Sequence, residues 1–541
     1  MLSINKHITS QRLKLFLVLA FFSIFIVQVV AQRTDPNAGI KKYNAAMQMV
    51  SFAYVDTVNE AVLVEKAIIE TLKELDPHSM YISKKDVQKA NEPLEGNFDG
   101  IGVQFEILKD TINVVHAIPG GPSEKLGIMS GDKIIKIEGE VVVNKKISNQ
   151  FVLDHLRGKR GTKVTVSIYR KGKKDLIDFT ITRDKIPITS IDAAYMIRPG
   201  IGYISLNKFA QTSMQEYYEA ITKLKQQGLE SLILDLRNNT GGYMQTAIEL
   251  SDEFLGPMKL IVYTQGLRSQ REDFYSTARG QFEKGKLVVM INENSASASE
   301  IVSGAIQDWD RGIIVGRRSF GKGLVQRPFQ LPDSSQIRLT TARYYNPSGK
   351  CIQKSYKNGV DKYYEDFSVR VKHGELIHSD SIKFPDSLKF YTTGKRVVYG
   401  GGGIMPDVFI PWDSTPFSDY YLDLRRKNVI YSFVGDYVDK SRNDLKTNYP
   451  DFTTFKTKFI LDEPFMADFF AYAEKEGVKK NDSGYIASEE LIQSQIKGLI
   501  AQKLWDMNEL YTIINQYDKE VLKAVEVVED DELFKKLNIA R

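Results

Sequence analysis

Apolar and polar positions follow three different rhythms along the chain, and each predicts a different kind of element. From Ala38 to Asn91 the apolar residues recur at helical spacing and run through Leu75-Asp76-Pro77-His78-Ser79, predicting a helical N-terminal segment over 38–92. From Gly96 to about Arg183 short β-rich runs (Ile112–His116, Lys133–Ile137, Lys163–Arg170) are separated by glycine turns. With one short helix expected near Gln150–Leu156, they predict a β-rich module over 96–186, about ninety residues and near the size of a compact domain.

Beyond Pro187 near-continuous apolar strands alternate with amphipathic helices, the signature of an α/β layer. Strands are expected at Ile201–Leu206, Ser231–Leu236, Leu287–Ile291 and Ile313–Val315. Helices are expected at Met214–Gln227, Met244–Leu255 and Ser299–Trp309, and the layer is assigned to 187–412. From Phe417 the chain turns charged and helical, within a C-terminal region placed at 413–541. There Leu491, Ile492, Ile496, Leu499, Ile500 and Leu504 would form one buried stripe.

A chain of 541 residues is long for one domain, and its 42% hydrophobic and 26% charged residues are ordinary for a folded protein. The net charge of +5 is the small difference between 73 basic and 68 acidic residues, giving no warrant for nucleic-acid binding. Lys6, Arg12 and Lys14 precede an apolar run from Leu15 to Val27 and then Val29-Val30-Ala31, the order of a secretory signal over 1–31. Cleavage after Ala31 is expected, with a retained membrane anchor as the alternative. Export, to a periplasm or cell envelope, follows in either case. The single cysteine, Cys351, excludes an intramolecular disulfide, and no histidine within twenty residues supports it as a catalytic thiol.

Six histidines are present, and none lies in the α/β stretch beside a serine-rich turn. A Ser-His-Asp triad is recognised by geometry, but it has no local candidate in this stretch. The densest serine cluster, Asn294-Ser295-Ala296-Ser297-Ala298-Ser299-Glu300, falls between an expected strand and an expected helix. A nucleophile at such a turn is exposed at the strand's end, beside the free N–H groups of the helix start. The bland alternative is that Ser297 and Glu300 form only a helix capping box.

Lys322 shifts that balance. Flanked by Gly321 and Gly323, it has little local cover, and its backbone can approach another segment closely. A general base must be neutral, which asks that a pKa of about 10.4 fall by roughly 3, equivalent to about 4 kcal/mol. Burial could supply this, helped by Arg317 and Arg318 if they point inward. Gly316 to Lys322 also has P-loop spacing, but Gly323 stands where Ser or Thr would hold magnesium, and Leu324–Gln330 reads as strand. A third segment, Asp235 to Gly242 (DLRNNTGG), ends a strand and opens a helix. Its glycine N–H groups could meet an anion, or the segment could be a plain turn.

DLRNNTGG, NENSASASEI, GRRSFGKGLVQ, RYYNPSGKCIQ and GGGIMPDV occur in this order, after LDPHSMYIS. Together, from about Leu75 to Ile410, they resemble the C-terminal processing (tail-specific) peptidases. The resemblance implies Ser297 as nucleophile, Lys322 as general base and Gln326 as the residue orienting the lysine. It implies an oxyanion hole from the backbones of Gly242 (or Gly241) and Ala298. Cys351, where relatives often carry serine, lies outside this set. Gly100-Ile101-Gly102-Val103 with GPSEKLGIMSGDKIIKIEG resembles a PDZ domain, in which a glycine loop holds a terminal carboxylate and the peptide adds a strand to the sheet edge. Ile101, Val103, Leu153 and Leu156 are then the candidate pocket residues, although the glycines could simply shape a turn.

The fold expected is multidomain α+β: a PDZ module, a crotonase/ClpP-like α/β protease core, and helical N- and C-terminal segments. The function expected is a serine endopeptidase acting near the C-termini of proteins, needing no cofactor and no metal. Its partners are protein or peptide substrates with free C-terminal tails, with membrane association through the N-terminal segment, an adaptor or a homo-oligomer left open. A catalytically inactive PDZ adaptor of the cell envelope is the alternative, opposed by the intact Ser297, Lys322 and Gln326.

Overall fold

The computed structural model describes residue 35 and residues 37–118 and 120–539. The expected signal at 1–31 lies outside them. Residues up to Leu72 form one compact unit and those from Lys73 a second. The first holds α1 (Ala38–Ala53), which buries none of its residues, and most of α2 (Glu60–Lys73). No helix among the described residues is long and apolar enough to cross a membrane.

The second unit opens with the turn at Asp76, then β1 (Met80–Ile82) and α3 (Val87–Glu95). Gly96 ends α3 at φ 72°, a conformation that favours glycine, and returns its N–H to the Glu92 carbonyl. The β-rich module follows: β2 (Asn97–Gly100), β3 (Val103–Leu108), β4 (Thr111–Ala117), the single turn α4 (Pro122–Lys125), β5 (Lys133–Ile137), β6 (Glu140–Val141), α5 (Asn149–Leu156), β7 (Lys163–Tyr169), β8 (Ile177–Thr182) and β9 (Asp184–Pro187). Its main sheet runs β3-β4-β5-β7-β8, with β6 beside β5, while β2 pairs with β9. Val164, Val166 and Ile168 alternate inward from β7 and pack with Ile112, Ile134 and Val152. Ser148 caps α5, accepting the Phe151 N–H.

The α/β layer comprises β10 (Ile191–Arg198), β11 (Ile201–Leu206), α6 (Ser213–Gln226), β12 (Ser231–Asp235), α7 (Met244–Asp252), β13 (Leu260–Gln265), β14 (Glu272–Tyr275), β15 (Lys286–Ile291), α8 (Ala298–Asp308), β16 (Ile313–Gly316), β17 (Leu324–Gln330), β18 (Gln336–Tyr345), α9 (Val360–Lys372), β19 (Lys389–Tyr391), β20 (Val397–Tyr399) and β21 (Val408–Phe409). One sheet has the order β10-β11-β12-β15-β16-β21, parallel from β11 onward. A second joins β1-β18-β13-β14, with β17 also on β18. The chain after the α/β layer forms α10 (Asp419–Arg426), α11 (Val429–Asn448), α12 (Phe452–Lys458), α13 (Glu463–Lys475), α14 (Asp482–Leu504), α15 (Met507–Ile514), α16 (Lys519–Glu529) and α17 (Asp531–Lys536). Asp451, Asp462, Asn481 and Asp518 cap helices here with their side chains.

Burial on both faces explains why the parallel strands read as continuous apolar runs. On one face Ile204, Leu234 and Val289 pack with Ile221, Ala247 and Val302 of the crossover helices α6, α7 and α8. On the other, Tyr203, Ile233, Val288 and Met290 pack with Val521, Val525 and Val528 of α16 and Phe534 of α17. The last helices of the chain therefore complete the core of the α/β layer. The rest of the C-terminal region has its own core, in which Ile492, Ile496, Leu499 and Ile500 of α14 are buried and Leu491 and Leu504 half-buried. This bundle meets the β-rich module through Lys503 and Glu106 (3.1 Å) and through Arg442, which donates to Ser130 Oγ at 2.9 Å.

Candidate active site

The parallel order of β12, β15 and β16 puts their C-terminal ends side by side. Three loops meet there: Asp235 to Gly242 after β12, Asn292 to Ser297 after β15, and Gly316 to Gly323 after β16. Ligand sites in open α/β sheets form at this edge because the helix N-termini point toward it.

Ser297 is the N-cap of α8 and sits at φ 55°, ψ −112°, outside the regions open to an ordinary residue. Such a backbone costs on the order of 1–3 kcal/mol and persists only where its surroundings hold it. Glu300 Oε2 accepts the Ser297 N–H at 2.8 Å, and Tyr344 donates its hydroxyl to the Ser297 carbonyl at 3.1 Å. The capping box read from the sequence is therefore present. It is also more than a cap, because the Glu300 carboxylate is fully buried and serves a second loop. Its Oε1 accepts from Ser319 Oγ (2.5 Å) and the Gly321 N–H (2.7 Å), and its Oε2 also takes the Lys322 N–H at 2.9 Å. Burial pushes the Glu300 carboxyl up to about 7, against the pull of these hydrogen bonds.

Lys322 is half-buried. Among the described residues its amine has no hydrogen-bond or ion-pair partner. Burial lowers its pKa, the charges of Glu300 and Asp76 oppose the fall, and Arg338 adds to it. The two arginines named from the sequence do not contribute. Arg317 is neutralised by Glu293 and Glu520, and Arg318 by Glu375.

Gly241 lies hard against the serine turn: a Cβ there would stand 2.8 Å from Ser297 Cβ and 2.9 Å from the Ala296 carbonyl. Gly242 is as close to Phe209, whose carbonyl oxygen would be 2.1 Å from a Cβ. Only glycine fits at either position. The buried Asn239 holds this loop in place. Its Oδ1 accepts the Gly241 N–H at 2.9 Å, its Nδ2 donates to the Leu206 carbonyl at 2.8 Å, and its own carbonyl accepts the Ala296 N–H at 3.0 Å. With the Gly241 N–H occupied, Gly242 and Ala298 carry the N–H groups that donate to no protein acceptor among the described residues.

Gln326 lies on β17 and faces Thr340 of β18 in register, donating from Nε2 to Thr340 Oγ1 at 3.1 Å. Thr340 in turn donates to Asp76 Oδ1 at 3.0 Å. The Leu75–Ser79 stretch, far away in sequence, thus reaches the lysine's surroundings. His78 comes with it, hydrogen-bonded through Nε2 to Tyr363 Oη at 2.9 Å. Burial, aided by the Lys322 charge, pushes its pKa down to about 4. The sequence placed no histidine beside the lysine because this one arrives from the N-terminal segment. Cys351 is half-buried and its pKa is raised, so it is held as a thiol.

In the β-rich module Gly100 pairs with Asp184, and Gly102 takes φ 73°. Ile101 and Leu156 are buried in the module's core, and Val103 opens β3, which among the described residues pairs with β4 alone. Leu153 instead lines a cavity of about 250 Å³ shared with Lys89 and Glu92 of α3.

Glu300, Asn239, Tyr344, Asp76 and Thr340 are the positions that motif reading missed as parts of the site. An acid three residues after the serine and the second asparagine of DLRNNTGG were visible signals. Thr340 sits on a strand with no motif, and only the β17–β18 register exposes it.

Known proteins resemble this chain in the same regions. Residues 200–365 match the model of peptidase family S41, residues 100–181 that of a PDZ domain, and residues 420–506 a family of unknown function. A carboxy-terminal-processing protease of Bartonella bacilliformis is 34% identical over 337 residues, 61% of this chain and 76% of that protein. The carboxy-terminal processing protease CtpA of Bacillus subtilis is 31% identical over 357 residues, covering 64% of this chain and 76% of its own length. Among solved structures, the photosystem II D1 C-terminal processing protease is 25% identical, covers 68% of this chain and 86% of its own, and aligns with a TM-score of 0.34.

Proposed function

The chain belongs to peptidase family S41, the carboxy-terminal processing proteases, and we propose that it cuts polypeptides with Ser297 as nucleophile and Lys322 as general base. The neutral Lys322 amine takes the proton of the Ser297 hydroxyl as its oxygen attacks the substrate carbonyl carbon. The negative charge that develops on the carbonyl oxygen is met by the Gly242 and Ala298 N–H groups. The tetrahedral intermediate collapses to an acyl-enzyme, and the proton held by Lys322 passes to the departing amine. Water then attacks the ester, giving its proton to Lys322, and Ser297 is regenerated.

The observation that carries this reading is the shared oxygen of Glu300. One buried carboxylate binds the N–H of the strained serine turn and the N–H of the lysine, fixing two loops in one geometry. A half-buried lysine whose amine pairs with nothing among the described residues is the second requirement of a lysine base, since desolvation favours its neutral form. The test is degradation of a protein with an apolar C-terminal tail by the unmodified chain, Ser297→Ala and Lys322→Ala. Loss of turnover by both variants is expected, and turnover equal to the unmodified chain would sink the assignment.

The PDZ domain is the proposed holder of the substrate's C-terminal tail: the Gly100–Val103 loop for the terminal carboxylate, the open edge of β3 for the added strand. A substrate amidated at its C-terminus should then be cut more slowly than its free acid. Export is proposed on the charged, apolar and small-residue order of residues 1–31. Cell fractionation with and without that segment checks it, and a chain that stays in the cytoplasm with the segment intact would overturn it.

A further inference from the structure

Asp76 is almost fully buried, and four donors converge on its carboxylate: the His78 N–H (2.8 Å), the Ser79 N–H (2.9 Å), Ser79 Oγ (2.5 Å) and Thr340 Oγ1 (3.0 Å). The first three shape the Asp76–Ser79 turn. The fourth reaches across to β18 and has no part in that turn. A carboxylate only accepts, so the single proton of the Thr340 hydroxyl must point at Asp76. Toward Gln326 the hydroxyl can therefore only accept, and Gln326 must present its NH2 group there, as its Nε2 contact of 3.1 Å records. The Gln326 carbonyl oxygen is thereby left for a donor. We propose that Asp76 and Thr340 are positioning residues of the active site, which lock the Gln326 amide with its oxygen toward the Lys322 amine.

The inference rests on Lys322 being the base. The described structure does not make that contact; a neutral amine that turned one N–H to the Gln326 oxygen would keep its lone pair free for the Ser297 proton, and a rotated amide would offer it a competing NH2 instead. The N-terminal turn thus reaches the base by way of a strand hydroxyl.

The test compares Thr340→Val, Thr340→Ser, Asp76→Asn and Lys322→Ala in the full chain. Thr340→Val keeps the shape and removes the hydroxyl, so kcat should fall about 10-fold with KM within about twofold. Thr340→Ser should recover to within about threefold of the unmodified chain. An asparagine at 76 can donate as well as accept, which frees the hydroxyl to turn. Asp76→Asn should therefore also lower kcat, and should move the ascending limb of the pH profile to lower pH as a negative charge near the amine is lost. Full activity in a folded Thr340→Val, or Thr340→Ser as slow as Thr340→Val, overturns the proposal. If Thr340→Val does not fold, Asp76→Asn decides by the same two readouts. An active Lys322→Ala would refute the base itself, whereas an inactive one beside fully active Thr340→Val and Asp76→Asn refutes only the relay.

Discussion

Glu300 Oε2 accepts the backbone N–H of Lys322 at 2.9 Å. The same atom holds the Ser297 N–H, so nucleophile turn and lysine loop are joined through one oxygen on α8, the helix that Ser297 itself caps. A capping residue has become the hinge pin of the site, and most of what can be tested follows from it.

Glu300→Gln keeps the volume but replaces two of the four acceptor positions with donors. At least one buried N–H or hydroxyl then goes unpaired, at about 1–3 kcal/mol each. We expect kcat to fall about 100-fold with a smaller change in KM, because the geometry of the reacting groups is lost rather than substrate binding. Steady-state kinetics with a thermal-unfolding control checks it.

Activity should rise with pH. All four contacts of Glu300 are donors, so its ionised form holds the loops, and Lys322 must be neutral; both demands favour alkaline conditions. With Glu300 at about 7, roughly 3% is ionised at pH 5.5 and about 90% at pH 8, so kcat/KM should be at least about 10-fold higher at pH 8. His78, pushed down to about 4, adds no limb in this range. Stability from Glu300 has the opposite sign. The folded carboxyl keeps its proton up to about 7 and the unfolded one releases it near 4.5, so this contribution is complete below 4.5 and is lost as pH rises through 7. A pH–rate profile that peaks at pH 5 would contradict the lysine base.

Gly241→Ala should inactivate without unfolding the domains. The added methyl meets Ser297 Cβ at 2.8 Å and the Ala296 carbonyl at 2.9 Å on a φ of 103°, so the serine turn must shift. A loss of at least about 100-fold in kcat is expected, the size seen when an oxyanion donor is displaced. Circular dichroism beside the rate measurement separates this from misfolding.

Lys503→Glu should loosen the PDZ module from the C-terminal bundle. It sets two carboxylates against each other where Lys503 and Glu106 now meet at 3.1 Å, with only 9% and 19% of the side chains exposed. Faster protease cleavage between the module and its neighbours should follow. Adding Glu106→Lys should reverse it, as a swapped pair restores the interaction. No recovery in the double variant would mean that the pair does not hold the interface.

Much of the fold was legible because buried parallel strands and amphipathic helices write their periods into the chain. The strand at Ile201–Leu206 falls where its near-continuous apolar run placed it, and the helix expected at Met214–Gln227 begins one residue earlier, at Ser213. The wrapping of α16 and α17 onto the sheet was not legible. Val521, Val525 and Val528 show that α16 has an apolar face, and nothing in that face says which surface it covers.

The site divides in the same way. The order of its motifs, with the serine at a strand-to-helix turn and a lysine between two glycines, is a property of the sequence, because local backbone demands select those residues locally. That burial lowers the lysine's pKa with help from the charge of Arg338 rather than of Arg317 and Arg318 was decided by the tertiary structure. So was the arrival of Asp76, His78 and Thr340 around it. A side chain's pKa and its hydrogen-bond polarity depend on groups hundreds of positions away, and only the packed strands bring those groups within a few ångströms.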